Sequence, residues 1–158
     1  MLNRIPAPQQ ILEFVPQQKP FRFVDEILSV DELTISGRYT FRPDEFFYAG
    51  HFPGRPITPG VILLESMCQV GIVAHGVYLF AIESTLPDWT QEAEKWTTLF
   101  SDAETEFFKT VSPGTTVTIK AERILWRRHK LRSKIGMYLS DGTLVALATA
   151  SGIGVRNE

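Results

Sequence analysis

Cysteine is almost absent from this 158-residue chain: Cys68 stands alone, which excludes an internal disulfide and fits a reducing compartment. A surplus of charge is missing too. Sixteen Lys+Arg against eighteen Asp+Glu leave a formal net charge of −2, so no global field draws the protein to nucleic acid or an anionic membrane. No nucleic-acid reading motif is present either. Three scattered histidines and one cysteine give no metal-ligand spacing, so no metal site is expected. A clean apolar run is lacking as well. The most apolar stretch, Val61–Ile82, carries Glu65, Gln69 and His75, which argues against a membrane span. The opening Met1-Leu-Asn-Arg-Ile-Pro has no basic-then-apolar signal pattern. Internal repeats and low-complexity segments are missing. These absences leave one domain, residues 1–158, long enough to bury a core and expected in the cytoplasm.

What is present follows a clear order. Residues 8–15 predict a short amphipathic helix stopped by Pro16. Residues 21–41 read as a β hairpin, Leu33 to Phe41 alternating well, with Asp31-Glu32 at the turn. A loop rich in Pro, Gly and aromatics spans Pro43 to Thr58. Thr58-Pro59 then reads as a helix cap followed by proline at the first helical position. The helix is predicted from Pro59 to about Phe80, apolar almost all round, and therefore wrapped by other structure. Residues 83–95 are polar and acidic, a loop or short helix. Five β segments follow at 96–105, 106–110, 115–126, 130–139 and 143–155, with turns at Ser112-Pro-Gly and Ser140-Asp-Gly. Two strands, one buried helix and several antiparallel strands make an α+β architecture, a curved sheet around a central helix.

The chemistry concentrates between Gly50 and Gln69. Pro53, Pro56 and Pro59 restrict φ while Gly50, Gly54 and Gly60 permit tight turns, so His51 sits on a stiff loop. An imidazole there can accept a proton near neutral pH. Gly60 and Val61 fall in the first helical turn, whose N–H groups lack intrahelical partners and favour a developing oxyanion. Plain helix capping explains that turn equally well. Glu65 lies one turn beyond Val61 on the same face, among Ile62, Leu63, Leu64 and Met67. Apolar surroundings should keep its carboxyl protonated and able to serve as an acid. Gln69, one turn further, is placed to hold that carboxyl.

The run from His51 through Phe-Pro-Gly-Arg-Pro-Ile-Thr-Pro-Gly-Val-Ile-Leu-Leu-Glu-Ser-Met-Cys to Gln69 closely resembles the signature of the β-hydroxyacyl-acyl-carrier-protein dehydratases, which have the hotdog fold. Pro20-Phe-Arg-Phe-Val-Asp-Glu-Ile, Phe47-Tyr-Ala-Gly and Val111-Ser-Pro-Gly-Thr resemble further family segments, so the likeness covers roughly residues 18–155. The resemblance implies dehydration of (3R)-hydroxyacyl thioesters, held on the phosphopantetheine of an acyl carrier protein, to trans-2-enoyl products. It implies no metal or organic cofactor. The matching roles are a base at His51, an acid at Glu65, a backbone donor to the thioester oxygen at Val61 and a positioning amide at Gln69. It also implies a homodimer with sites shared between subunits, or a trimer of such dimers. Glutamate rather than aspartate at position 65 matches the branch that does not isomerise the double bond.

The chain departs from the family pattern at the acidic 83–95 segment, at Ala103-Glu-Thr-Glu-Phe and at Trp89, Trp96 and Trp126. These bear on chain preference and carrier choice, within fatty acid or a specialised lipid or polyene pathway. Arg123 to Lys134 holds six of the sixteen basic residues; Arg127, Arg128, Lys130, Arg132 and Lys134 form a carrier-docking ridge or a solvated strand face. Cys68 reads as packing, His75 as structural or exposed, and His129 as surface. Two rivals stay open: a hotdog thioesterase, and a non-catalytic acyl-binding subunit.

Overall fold

The computed structural model describes residues 5–158 of the chain; the first four residues of the expected 1–158 domain lie outside it. Six strands form: β1 (Glu26–Val30), β2 (Thr34–Thr40), β3 (Trp96–Phe107), β4 (Thr116–Arg127), β5 (Lys130–Leu139) and β6 (Leu144–Arg156), with buried and outward side chains alternating most clearly along β2, β4 and β5. They form one sheet in the order β1-β2-β4-β5-β6-β3, every neighbouring pair antiparallel. Residues 96–110, expected as two strands, hold one long edge strand with a bulge between Phe100 and Asp102. The ladder with β6 runs unbroken through Thr105 and Glu106, where the division was expected.

Local chemistry explains the turns. At the β1–β2 turn the Asp31 carboxylate accepts from the N–H groups of Leu33 and Thr34, both at 2.8 Å, as the Asp31-Glu32 expectation requires. The β4–β5 hairpin closes on Arg128 and His129, both left-handed, with φ of 49° and 60°. That is the primed-turn geometry matching strand twist, made here without glycine.

Against the sheet lies the central helix, running unbroken from Gly60 to Glu83. It begins as α2 (Gly60–Cys68), widens into a π-helical segment at Gln69–Ala74 and resumes as α3 (His75–Glu83). The helix is apolar and long enough to cross a membrane by composition, but two-thirds of its apolar window is buried by the protein itself. It seats closely because glycines clear its path. A Cβ on Gly71 would stand 2.7 Å from Ile135 Cδ1, and one on Gly152 would stand 2.5 Å from Ile72 Cγ2. Buried Ile35, Val117, Ile119, Ile135, Met137 and Ala148 face it from the sheet.

Two short helices cover the far end. α1 (Pro8–Glu13) is tied down by the Arg22 guanidinium, which donates to the carbonyls of Leu12, Val15 and Gln17. α4 (Trp89–Ala93) falls in the 83–95 segment, capped by the Asp88 carboxylate accepting from Thr90 N–H. Its Trp89 packs on Phe14 with ring centroids 4.9 Å apart, so the acidic segment closes the core rather than projecting from it.

Candidate active site

The loop that carries His51 is held from several sides. The Tyr48 and Thr58 hydroxyls meet at 2.6 Å across its base, both side chains buried. Ile57 N–H donates to the His51 carbonyl, and Thr58 N–H to that of Val111, each at 2.9 Å. The Thr58 hydroxyl therefore fastens the loop instead of capping the helix; Pro59 is the cap residue and, among the described residues, no side chain caps that end. His51 Nδ1 lies 2.7 Å from the Ile57 carbonyl. A carbonyl can only accept, so Nδ1 carries a proton, and in the neutral imidazole the lone pair is then on Nε2. The Phe52 ring stacks beside the imidazole at 4.2 Å and limits its tilt.

The helix start presents the donors expected there. Ile62 and Leu63 N–H both turn back to the Pro59 carbonyl, so the N–H groups of Gly60 and Val61 precede the intrahelical ladder. Val61 is 74% exposed, at the open end of a cavity of about 280 Å³. Gly60 plays a different part from simple clearance for substrate: the space its side chain would fill is taken by Phe107, 3.0 Å away.

Glu65 lines that cavity with Val61, Leu64 and Cys68 from the helix and Phe100 to Ala103 from β3. Burial raises its pKa above the usual carboxylate range, and the Gln69 hydrogen bond opposes the shift only in part. Gln69 is fully buried and uses every atom it has. Its amide nitrogen donates to Glu65 Oε1 and to the Phe21 carbonyl, both at 2.9 Å; its oxygen accepts from Phe23 N–H at 2.7 Å. Ser66 adds a 2.7 Å hydrogen bond to the Phe23 carbonyl. The segment 21–23, which precedes β1, thus orients the Glu65 carboxyl through Gln69. Ser66 and the Phe21–Phe23 backbone were missed in the sequence, where only long-range pairing could have revealed them.

The structure brings Val61 and Glu65 to one cavity, with Gln69 buried behind it and hydrogen-bonded to Glu65, while His51 is not among the residues lining it within this chain. Cys68 also lines it, but burial and the neighbouring Glu65 push its thiol up to about 12, which removes it as a nucleophile. The basic residues are dispersed. Arg127 and Arg128 are exposed at the β4–β5 tip, and Lys130 is half-buried beside them. Lys134 stands opposite Glu122. Arg132 donates to Asp102 Oδ1 at 2.8 Å and to Ser151 Oγ at 3.0 Å, so it is already paired. The ridge read from the sequence is therefore laced with acidic neighbours. His129 leaves the surface as well, half-buried 4.5 Å from Trp96 and 5.9 Å from Phe80. His75 is fully buried, its Nε2 donating to the Asp31 carbonyl. Among the described residues no cluster of three His, Cys, Asp or Glu could hold a metal ion.

A strongly curved antiparallel sheet around one buried helix is the hotdog architecture, and solved structures share it. The dehydratase heterocomplex ApeI:P from Xenorhabdus doucetiae superposes with TM-score 0.74 at 11% identity, covering 96% of this chain and 93% of that one. A thioesterase from Haemophilus influenzae gives TM-score 0.64 at 13% identity, covering 96% and 92%. Sequence is more specific than shape. Residues 15–149 match the FabA-like domain model. The chain is 37% identical over 117 residues to the 3-hydroxyacyl-[acyl-carrier-protein] dehydratase FabZ of Chlamydia trachomatis, covering 72% of this chain and 70% of that protein. It is 34% identical over 139 residues to FabZ of Desulfotalea psychrophila, covering 85% of each. The chain belongs to the FabA-like family.

Proposed function

We propose that this protein is a single-domain 3-hydroxyacyl-[acyl-carrier-protein] dehydratase in which Glu65 is the acid and His51 the base. The observation that carries the roles is the Glu65 carboxyl, raised in pKa and locked by Gln69, in an apolar cavity with the exposed first turn of the central helix at its mouth. His51 Nε2 takes the proton from the α-carbon. The electron pair moves onto the thioester carbonyl, whose oxygen accepts from Val61 N–H beside Gly60 at the positive helix end. As the pair returns to form the 2,3-double bond, the C3–O bond breaks, and Glu65 gives its proton to the departing hydroxyl so that water leaves. Imidazolium and carboxylate then exchange one proton, restoring both groups. Side chains and backbone dipoles supply the whole sequence, so no metal or organic cofactor enters it, and phosphopantetheine arrives as part of the substrate.

The site is proposed to span two subunits, because His51 is outside the Glu65 cavity of its own chain. β3 is an edge strand whose Leu99, Phe100 and Phe107 are exposed beside that cavity. A second copy pairing along this edge would cover the apolar residues and bring His51 of the partner subunit to Glu65. Such dimers can stack into a trimer of dimers. The acidic carrier protein would meet Arg127, Arg128, Lys130 and Lys134, which make no ion pair among the described residues. The enzyme is expected to work in the cytoplasm.

The test combines two inactive variants. His51→Ala and Glu65→Gln should each lose turnover of a 3-hydroxyacyl thioester, read as enoyl absorbance. Randomly re-associated subunits of the two should recover about one quarter of wild-type activity, since half the dimers then hold one intact site. No recovery would place both groups within one chain. Free thiol in place of enoyl product would identify a thioesterase.

A further inference from the structure

We infer that Ile72 limits the length of acyl chain this enzyme accepts, by closing the acyl space two helical turns beyond Glu65. The inference rests on the dehydratase reading above. That reading supplies a direction: the thioester carbonyl lies at Val61 and the C3 hydroxyl at Glu65, so the rest of the chain continues along the helix toward its C-terminus. The next residue on the cavity wall is Cys68, buried and neutral. One turn further stands Ile72.

Ile72 makes a tight partition. A Cβ on Gly152 would stand only 2.5 Å from Ile72 Cγ2 and 3.0 Å from Thr98 Cγ2, so Ile72, Thr98 and the glycine backbone close on one another without a gap. Gly152 pairs in register with Phe100. Phe100 lines the Glu65 cavity, whereas Gly152, Thr98 and Ile72 line a second, apolar cavity of about 50 Å³. The two spaces therefore meet at one register pair of β3 and β6, with Ile72 on the wall of the second. The second one contains Phe80, Trp96, Trp126 and His129, which accounts for tryptophans that the sequence alone left unplaced.

Seven residues separate Glu65 from Ile72, about 10 Å along a helix. A hydrocarbon chain advances roughly 1.2 Å per carbon when extended, on the bond geometry of an extended backbone. With allowance for the thickness of the wall, roughly six carbons fit beyond C3. Acyl groups of about eight to ten carbons should fill the space, and longer ones should meet Ile72.

The experiment measures kcat/KM for 3-hydroxyacyl carrier-protein substrates of four, eight, twelve and sixteen carbons. Wild-type protein should use the eight-carbon substrate at least about tenfold better than the sixteen-carbon one, the scale expected when several methylenes find no pocket. Ile72→Ala joins the two cavities and should raise the sixteen-to-eight ratio at least about tenfold. Ile72→Val keeps the Cγ2 methyl that faces Gly152 and should leave the profile unchanged. If Ile72→Ala does not fold, Thr98→Ser, which removes the other methyl of the partition, should shift the ratio the same way by a smaller factor. Equal use of eight and sixteen carbons by the wild type, or an unchanged profile in a folded Ile72→Ala (or in Thr98→Ser), overturns the inference. Failure to dehydrate even the four- and eight-carbon substrates overturns the dehydratase reading instead.

Discussion

The two ends of the central helix each bury a titratable side chain, and they use it in opposite ways. Glu65, near the start, is half-buried at an open cavity, and its carboxyl is held by an amide with no charge of its own. His75, ten residues on, is sealed from solvent; Nε2 donates to the Asp31 carbonyl while Nδ1 has no partner among the described residues. Burial shifts both groups toward neutrality, Glu65 upward and His75 downward. Desolvation alone therefore does not mark a catalytic group. Access to a cavity, beside donors that a substrate can use, separates the two.

The largest test of this contrast is the exchange of the acid itself. Glu65→Gln keeps the shape and can still accept from Gln69, but it removes the proton donor. Turnover should fall about 10³-fold, within the range for losing a general acid, while thermal stability should hold or rise. The sign follows from linkage: a carboxyl whose folded pKa is raised adds stability only below its unfolded value, and that contribution is lost as pH rises through the folded one. A variant that melts well below the wild type would make Glu65 structural. The same shift sets the pH dependence of kcat: the alkaline limb should reflect loss of the Glu65 proton and disappear from the residual rate of Glu65→Gln.

A smaller effect is expected at the positioning amide. Gln69→Ala frees the Glu65 carboxyl and orphans Phe23 N–H, so kcat should fall about 10- to 100-fold with KM little changed, the scale of removing a group that orients another. Equal loss in kcat and KM would argue that the whole cavity had collapsed. Next comes the seat of the helix. Gly71→Ala drives a methyl into Ile135 and Ala121 and should cost about 1–3 kcal/mol in chemical denaturation, as over-packing does. The smallest effect belongs to His75. With its folded pKa depressed, stability is complete above the unfolded value and declines as pH falls below it. His75→Gln should flatten the melting temperature on the acidic side and leave the kcat profile unmoved. A changed kcat profile would erase the distinction between the two ends.

Much of the candidate site was open to expectation from the sequence because its parts are close together along the chain. His51, Gly60, Val61, Glu65 and Gln69 sit within one loop and three helical turns, where proline, glycine and helical spacing act locally. The β1–β2 turn at Asp31 was legible for the same reason. Other features were hidden because they join distant segments. Gln69 meets Phe21 and Phe23 across more than forty residues. The Thr58 hydroxyl looked like a cap until Tyr48 took it. Residues 96–110 were expected as two strands, but pairing with β6 carries one strand through Thr105 and Glu106.

The sequence by itself determined the class of fold and set the proposed acid, its amide partner and the helix-start donors close together along the chain, since local propensity and short-range spacing carry that information. The tertiary structure decided which groups share a cavity, that Arg132 is already paired, and that Trp96, Trp126 and His129 line one cavity with Ile72. Those outcomes depend on which strands become neighbours, and no single segment encodes that pairing.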